Sequence, residues 1–381
     1  MKFFHLSDLH IGKRLNEFSL LEDQTYILNE ILSLVDAEQP DGILIAGDVY
    51  DKSLPSAEAV TLLDHFLAAL NEKGVAVFLI SGNHDSPERL AFGSRILSRG
   101  GIHVSPLYQG EVAPITLYDG YGAVHLYLLP FLKPATVRAY ADDEDRETID
   151  SYTDALAYAI RRMAIDTSER NILLSHQFVT GATRSDSETV SVGGSDNVSE
   201  EVYQDFDYVA LGHIHAPQAI GRDTLRYSGT PLSYSFSETE EKSVTVVELL
   251  EKGNVTLRTL PLIPLRRMVT LRGSYDELMH RDFYRGTTLQ EDYVRVILTD
   301  EEDVFDAVGK LRQVYHNLMT IEYDNTRTRS GQTVTLTEES ESLSPLAIFE
   351  KLYELLNNTS LTEDMREHLE KAIEDIWEET V

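Results

Sequence analysis

The 381-residue chain contains no cysteine and only one tryptophan. Without thiols there are no disulfides and no thiolate ligands, so any metal must be held by nitrogen and oxygen. Long apolar runs are missing as well. No stretch approaches the ~20 residues a helix needs to cross a bilayer, which excludes a transmembrane helix. The opening MKFFHLSDLH does not read as a signal peptide, because polar residues interrupt it within a few positions. These absences fit a cytoplasmic protein with no membrane partner. Basic residues are scarce: 33 Lys and Arg stand against 64 Asp and Glu, a formal net charge of −31. Such a surface repels polyanions over most of its area. A phosphate-handling site remains open where divalent cations reverse the local sign.

The first third of the chain alternates apolar runs with amphipathic segments. KFFHL, GILIA and VAVFLIS read as buried strands. Between them QTYILNEILSLVDAEQ and SAEAVTLLDHFLAALNEKG carry apolar residues at helical spacing, the second ending at Gly74. YLLPF, NILLSH and YVALGH are further apolar runs ending in polar groups. KSVTVVELLEKGNVTLRTL predicts a hairpin with Gly253 and Asn254 at the turn. The fold class is therefore α/β, with parallel strands and flanking helices.

Pro261 and Pro264 in LPLIPLRR mark a boundary after residue 263. Residues 264–335 read as strand, helix, strand, helix, strand, a small α+β unit in which VFDAVGKLRQVYHNL is the second helix. TEESESLSP gives a linker at 336–343. The segment 344–381 predicts two amphipathic helices. The first carries Phe349, Leu352 and Leu356, and the second Met365, Leu369, Ile373 and Trp377. Two short helices cannot bury both stripes unaided, so they pack on the body or take a partner's helices. From Glu338 onward three basic residues face thirteen acids, so such a partner should be basic and DNA is a poor candidate there.

The chemistry lies where strands end. LSDLH supplies Asp8 and His10, two apart, which an extended backbone turns to one side. IAGDVYD supplies Asp48, SGNHD supplies Asn83, His84 and Asp85, LLSHQ supplies His176, and LGHIH supplies His213 and His215. A single G-D is usually a turn, and one histidine after a strand is usually structural. The ordered series D-x-H, G-D, G-N-H-D, H, G-H-x-H is harder to obtain by chance. The carboxyl ends of parallel strands are where α/β sheets build sites. The set of imidazole, carboxylate and amide donors suits two divalent ions such as Mn, Fe or Zn, and two ions about 4 Å apart generate hydroxide and hold a phosphoryl oxygen.

This series resembles the calcineurin-like metallophosphoesterases over roughly residues 1–260, which implies a β-sandwich flanked by helices. The resemblance implies that Asp8, His10 and His215 bind one ion and Asn83, His176 and His213 the other, with Asp48 bridging. It makes His84 the imidazole that meets the phosphate and assists the leaving oxygen. Asp85 is then expected to orient His84. SHQFVTGATRSDSE, VGGSDNV, FDYVALGHIHAPQ and YSGTPLSYSFSE narrow the resemblance to the SbcD family of bacterial nuclease subunits. That family implies a manganese-dependent DNA nuclease, exonuclease on duplex ends and endonuclease on single strands or hairpins, acting in double-strand-break repair. It implies 264–335 as a capping domain that recognises DNA, a homodimer formed through body helices, and a tail that holds the coiled coil of the SMC-like ATPase partner SbcC. A small-molecule phosphodiesterase with the same centre is the alternative.

A chain of this charge still has to meet DNA. Between Arg258 and Gln332 eleven basic residues face twelve acids, against 19 and 39 in the preceding body. Arginine suits phosphate contact, so Arg266, Arg267 and Arg272 are the candidate DNA contacts. The competing expectation is that these arginines pair with the unit's own acids.

Overall fold

The structure is a computed structural model. It describes residues 1–185 and 196–331, and isolated positions between Leu346 and Ile373. The expected linker at 336–343 lies outside the described residues, as do Leu352, Leu356, Trp377 and the Val192–Ser195 part of VGGSDNV. The chain forms two compact units, Met1–Arg267 and Met268–Val381.

The first unit contains two six-stranded sheets. In one, strands Lys2–Leu6, Gly42–Ala46, Ala76–Ile80 and Ile102–Val104 run parallel in that order. The hairpin Ser243–Leu249 and Val255–Pro261 extends it antiparallel beside Lys2–Leu6. In the other, Gly122–Leu128, Arg170–His176, Tyr208–Gly212 and Arg222–Tyr227 are parallel neighbours, closed at the edges by antiparallel Ile115–Asp119 and Gln218–Ile220. The inner faces share one core. Phe3, Leu44, Phe78 and Val247 meet Val124, Leu126, Ile172 and Tyr208 there. Strands covered on both faces explain the unbroken apolar runs GILIA and AVFLI.

The helices follow their predicted periodicity. Helix α1 (Leu21–Glu38) buries Ile27, Leu28, Ile31 and Val35. Helix α2 (Ala57–Glu72) buries Ala59, Leu63, Phe66 and Leu70 and opens with Ser56, whose hydroxyl accepts from the Ala59 N–H at 3.3 Å. Such a cap contributes about 1 kcal/mol. The helix Tyr152–Arg161, opened by a reciprocal Ser151–Asp154 capping box, joins the core on the other face of the second sheet with Ala155, Leu156 and Ala159. This layering aims the carboxyl ends of five strands, Lys2–Leu6, Gly42–Ala46, Ala76–Ile80, Arg170–His176 and Tyr208–Gly212, at one region.

The second unit has a three-stranded parallel sheet, Met268–Gly273, Tyr293–Leu298 and Asn317–Tyr323. Leu271, Leu278, Val294, Val296, Leu311 and Tyr315 form its core. The helix expected over 304–318 is confined to Ala307–Arg312. Asp306 is left-handed at φ 52°, which delays the start, and Asn317 and Leu318 pair with Tyr293 and Val294 as strand. In the tail, Arg366 pairs with Glu350 at 3.1 Å and the Tyr353 hydroxyl lies 3.8 Å from Met365 Sδ. Phe349 and Met365 are exposed, and Leu369 and Ile373 are half-buried. No helix among the described residues is long and apolar enough to cross a membrane.

Candidate metal centre

All seven sequence-derived ligand candidates converge. Donor atoms of Asp8, His10 and His215 lie within 4.8 Å of one another, as do those of Asp8, Asp48 and His176, and of His10, Asp48 and His84. Asp48 Oδ2 is 3.4 Å from His176 Nε2 and 3.8 Å from His10 Nε2. Asn83 Oδ1 sits 3.0 Å from His176 Nε2 and 2.9 Å from His213 Nδ1. Asp48 therefore stands between the two subsets. His84 reaches the same carboxylate at 4.0 Å but keeps 28% of its side chain exposed, whereas His10, His176 and His215 are buried.

The backbone achieves this differently from the extended strand that D-x-H spacing predicts. Asp8 and His10 adopt positive φ, 53° and 44°, and so do Asp48 at 46° and His213 at 101°. After three of the five strands the chain coils in left-handed steps, which turns these side chains toward one another. Such conformations are unfavourable for non-glycine residues and persist only where surroundings enforce them. The Asp8 carboxylate provides one such restraint, accepting from the His213 N–H at 3.0 and 3.1 Å. The preceding glycines give room. A Cβ on Gly82 would fall 2.1 Å from Asp48 Oδ1, and one on Gly212 1.9 Å from the Ala46 carbonyl oxygen.

Hydrogen bonds fix which lone pairs face inward. His176 Nδ1 lies 2.8 Å from the Ala46 carbonyl, which only accepts, so Nδ1 carries the proton and Nε2 turns its lone pair toward Asp48. His215 Nδ1 lies 3.0 Å from Glu238 Oε1, a buried carboxylate held by Lys242 at 2.6 Å. Its Nε2 therefore presents a lone pair inward, 3.2 Å from His10 Nε2. Acceptors facing one another in a buried space repel unless a cation or proton sits between them. Oxygen and imidazole donors so arranged fit divalent Mn, Fe or Zn. Among the protein's own groups a proton fills that place. Burial disfavours the His176 imidazolium, yet the Asp48 charge and hydrogen bond raise His176 to about 9. Burial also works against ionised Asp48, but His176 and the other imidazoles hold it far below the usual carboxylate range. Burial lifts Asp8 to about 6 and pushes His213 down to about 3.

One expectation about a side chain's role needs correction. Asp85 does not aim His84. Its carboxylate accepts from the N–H groups of Val49 at 3.0 Å, Tyr50 at 2.9 Å and Gly82 at 2.9 Å, lashing the Asp48 loop to the Asn83 loop. His84 is oriented by Nδ1, which donates to the Asp51 carbonyl at 2.9 Å and leaves Nε2 toward the centre. Arg266 is committed to Asp23 at 2.8 Å and Glu22 at 2.6 Å, and Arg272 to Asp324. Arg267 is exposed. Sequence reasoning missed Glu238, Lys242 and Asp51. Asp51 was visible as the last residue of IAGDVYD, three after Asp48, and it also pairs with Lys13 at 2.9 Å.

Residues 1–217 match the family described as calcineurin-like phosphoesterase, and residues 264–357 that described as type 5 capsule protein repressor C-terminal domain. The chain is 32% identical over 387 aligned positions to the SbcD component of nuclease SbcCD from Staphylococcus saprophyticus, covering 100% of this chain and 99% of that one. It is 35% identical to the protein of the same name from Staphylococcus epidermidis, covering 84% and 85%. Among solved structures, a dimetal phosphatase from Danio rerio aligns with 69% of this chain and 96% of its own at 11% identity and a TM-score of 0.39. A phosphoesterase from E. coli aligns with 69% and 100% at 12% identity and a TM-score of 0.29.

Proposed function

Because the chain belongs to the calcineurin-like phosphoesterases, in the SbcD family of nucleases, and is a metal-dependent hydrolase of phosphodiester bonds, we propose that it cleaves DNA at a two-ion centre. In this reading Asp8, His10 and His215 hold one ion, Asn83, His176 and His213 the other, and Asp48 both. The observation that carries it is the pair of inward Nε2 atoms on His176 and His215, fixed by Ala46 and Glu238 and facing Asp48 and His10. Divalent ions bound there supply a nucleophile at neutral pH and neutralise charge building on the phosphoryl oxygens.

The chain's own groups do the rest. The Asp51 carbonyl holds His84 in the tautomer with a proton on Nδ1. Its Nε2 is left to take a proton from water and return it to the departing 3′ oxygen, a general-acid role worth about 10²–10⁴ in rate. Asp85 keeps the Asp48 and Asn83 loops in register so that the ligands stay preorganised. Family membership further supports Mn(II) as the working ion, duplex 3′-5′ exonuclease and single-strand or hairpin endonuclease activity in the cytoplasm, and a homodimer. It also supports docking of the tail on the SMC-like ATPase SbcC, with the exposed Phe349 and Met365 as candidate contacts.

The test is cleavage of end-labelled duplex and hairpin DNA in Mn(II), with and without the ATPase partner and ATP. Activity is expected to vanish on chelation and return with Mn(II). Full activity after exhaustive chelation, or turnover of a small diester with no DNA cleaved, overturns the reading.

A further inference from the structure

The two imidazoles with inward lone pairs are locked by unlike groups. His176 donates to a neutral carbonyl at 2.8 Å, whereas His215 donates to a carboxylate, Glu238, at 3.0 Å. A carboxylate behind an imidazole makes the opposite nitrogen a stronger donor to a cation than a carbonyl does, and it fixes the ring's direction. The Glu238 side chain has no solvent exposure. A buried carboxylate alone is costly and needs a counter-charge. Lys242 provides it. Its ammonium donates to Glu238 Oε2 at 2.6 Å, to Thr230 Oγ1 at 2.7 Å and to the His215 carbonyl at 3.3 Å, which fills all three of its N–H bonds. Thr230 in turn donates to Glu238 Oε2 at 3.2 Å. The result is a closed circuit. The His215 ring is held by Glu238, Glu238 by Lys242, and Lys242 holds the backbone of His215 itself.

We propose that Glu238 and Lys242 are a positioning pair that sets cation affinity at the Asp8–His10–His215 end of the centre separately from the His176 end. The inference rests on reading those residues as metal ligands. It adds that the two ends are unequal by construction: one draws its basicity from a buried ion pair that side-chain substitution can remove, the other from main chain that it cannot. Neither residue touches substrate in this account, and both act through His215.

The experiment uses the full chain, stripped with chelator, equilibrated with graded Mn(II) and freed of unbound ion before metal is counted. Wild type is expected to retain two ions. Glu238→Gln has the same shape, but its single oxygen serves either the imidazole N–H or the ammonium and not both. It is expected to hold one ion at wild-type affinity and the other 10- to 100-fold more weakly. Lys242→Met should give the same split, and Thr230→Val, the mildest change, a several-fold weakening of that ion only. Melting of the metal-free variants identifies any that misfold, in which case Thr230→Val carries the test. Equal weakening of both ions, or no change in either, overturns the inference. A wild-type chain that retains no ion overturns the metal-centre reading and this inference with it, whereas two ions in wild type with an equal loss in Glu238→Gln overturns this inference alone.

Discussion

The carboxyl ends of the parallel sandwich strands and those of the parallel three-stranded sheet in the second unit both carry polar groups, acids among them. At the second sheet the acids are satisfied locally. Asp300 accepts from the Tyr275 N–H at 2.8 Å, Glu301 from Thr326 at 3.1 Å, and Asp324 pairs with Arg272. Ser274 and Glu277 close a capping box on the helix that follows Gly273. Their lone pairs end on N–H groups and a guanidinium. At the sandwich, local donors are consumed in the opposite sense. The Ala46 carbonyl and Glu238 accept from Nδ1 of His176 and His215, and the Nε2 atoms of the two rings face Asp48 and His10 respectively. Polar strand ends are common to both. The sandwich end differs in that burial and left-handed backbone gather carboxylates and imidazoles against one another, where a shared proton or a cation offsets their repulsion.

That comparison breaks most readily at His84. His84→Ser is expected to lose about 10²–10⁴ in DNA cleavage while both ions are retained, because the ring sits beside Asp48 with its outer face open. Loss of an ion in that variant would place His84 among the ligands instead. Asp300→Asn, at the other sheet end, is the matched control and should change neither readout.

The second expectation is proton-linked. His176 is raised from 6.5 to about 9, burial opposing and Asp48 prevailing, so at pH 7 the metal-free centre holds a proton on that ring. Metal uptake must expel it. Apparent affinity should fall by up to about tenfold per unit as pH drops from 9 to 7. Calorimetric titration in two buffers of different ionisation enthalpy should show release of about one proton at pH 7, and no release would remove His176 from the ligand set. The same shift bears on the fold without metal. A raised pKa stabilises fully below the unfolded value of 6.5 and is lost as pH rises through about 9. Asp8, raised to about 6, has passed its own transition by pH 7. Stripped protein should therefore melt lower at pH 10 than at pH 7.

Gly82 gives a smaller effect, read in stability. A methyl there lands on the Asp48 carboxylate and its backbone nitrogen, at 2.1 and 2.4 Å. Gly82→Ala is expected to cost about 1–3 kcal/mol in denaturant unfolding, as overpacking usually does. An unchanged midpoint would mean that the Asp48 loop yields easily and that preorganisation matters less than the distances imply.

How far the sequence could be read follows from which relations are local. Asp8, Asp48, Asn83, His176 and His213 each follow an apolar run or a glycine, so strand periodicity places each at the carboxyl end of a strand, three on one sheet and two on the other. Left-handed backbone at Asp8 and His10 was not legible, because nothing in D-x-H separates a coil from an extended pair. Partners across the chain were not legible either. Asp85 carries a carboxylate suited to a histidine, yet its donors are main-chain N–H groups, two of the three from a loop about 35 residues away. Glu238 lies 23 residues beyond His215 in a stretch rich in acids, and only folding separates it from Glu240 and Glu241.

Arg272 is where the comparison is sharpened by the smallest effect. Composition favoured it as a phosphate contact, because the second unit is nearly neutral where the body is strongly acidic. The structure gives it Asp324 as partner, and its side chain is 49% exposed, so the pair is a solvated surface bridge. Such bridges contribute about 0–1 kcal/mol. Arg272→Ala is therefore expected to shift stability by less than about 1 kcal/mol and to leave the salt dependence of DNA binding unaltered. A guanidinium that met a phosphate would behave otherwise: its removal lowers the slope of log affinity against log salt by about one. The two sheet ends then divide the work, the sandwich taking charge from cations and the second sheet balancing its own. A lowered slope in Arg272→Ala would show that Asp324 releases the arginine when DNA arrives, and the second sheet end would have to be counted as part of the nucleic-acid surface.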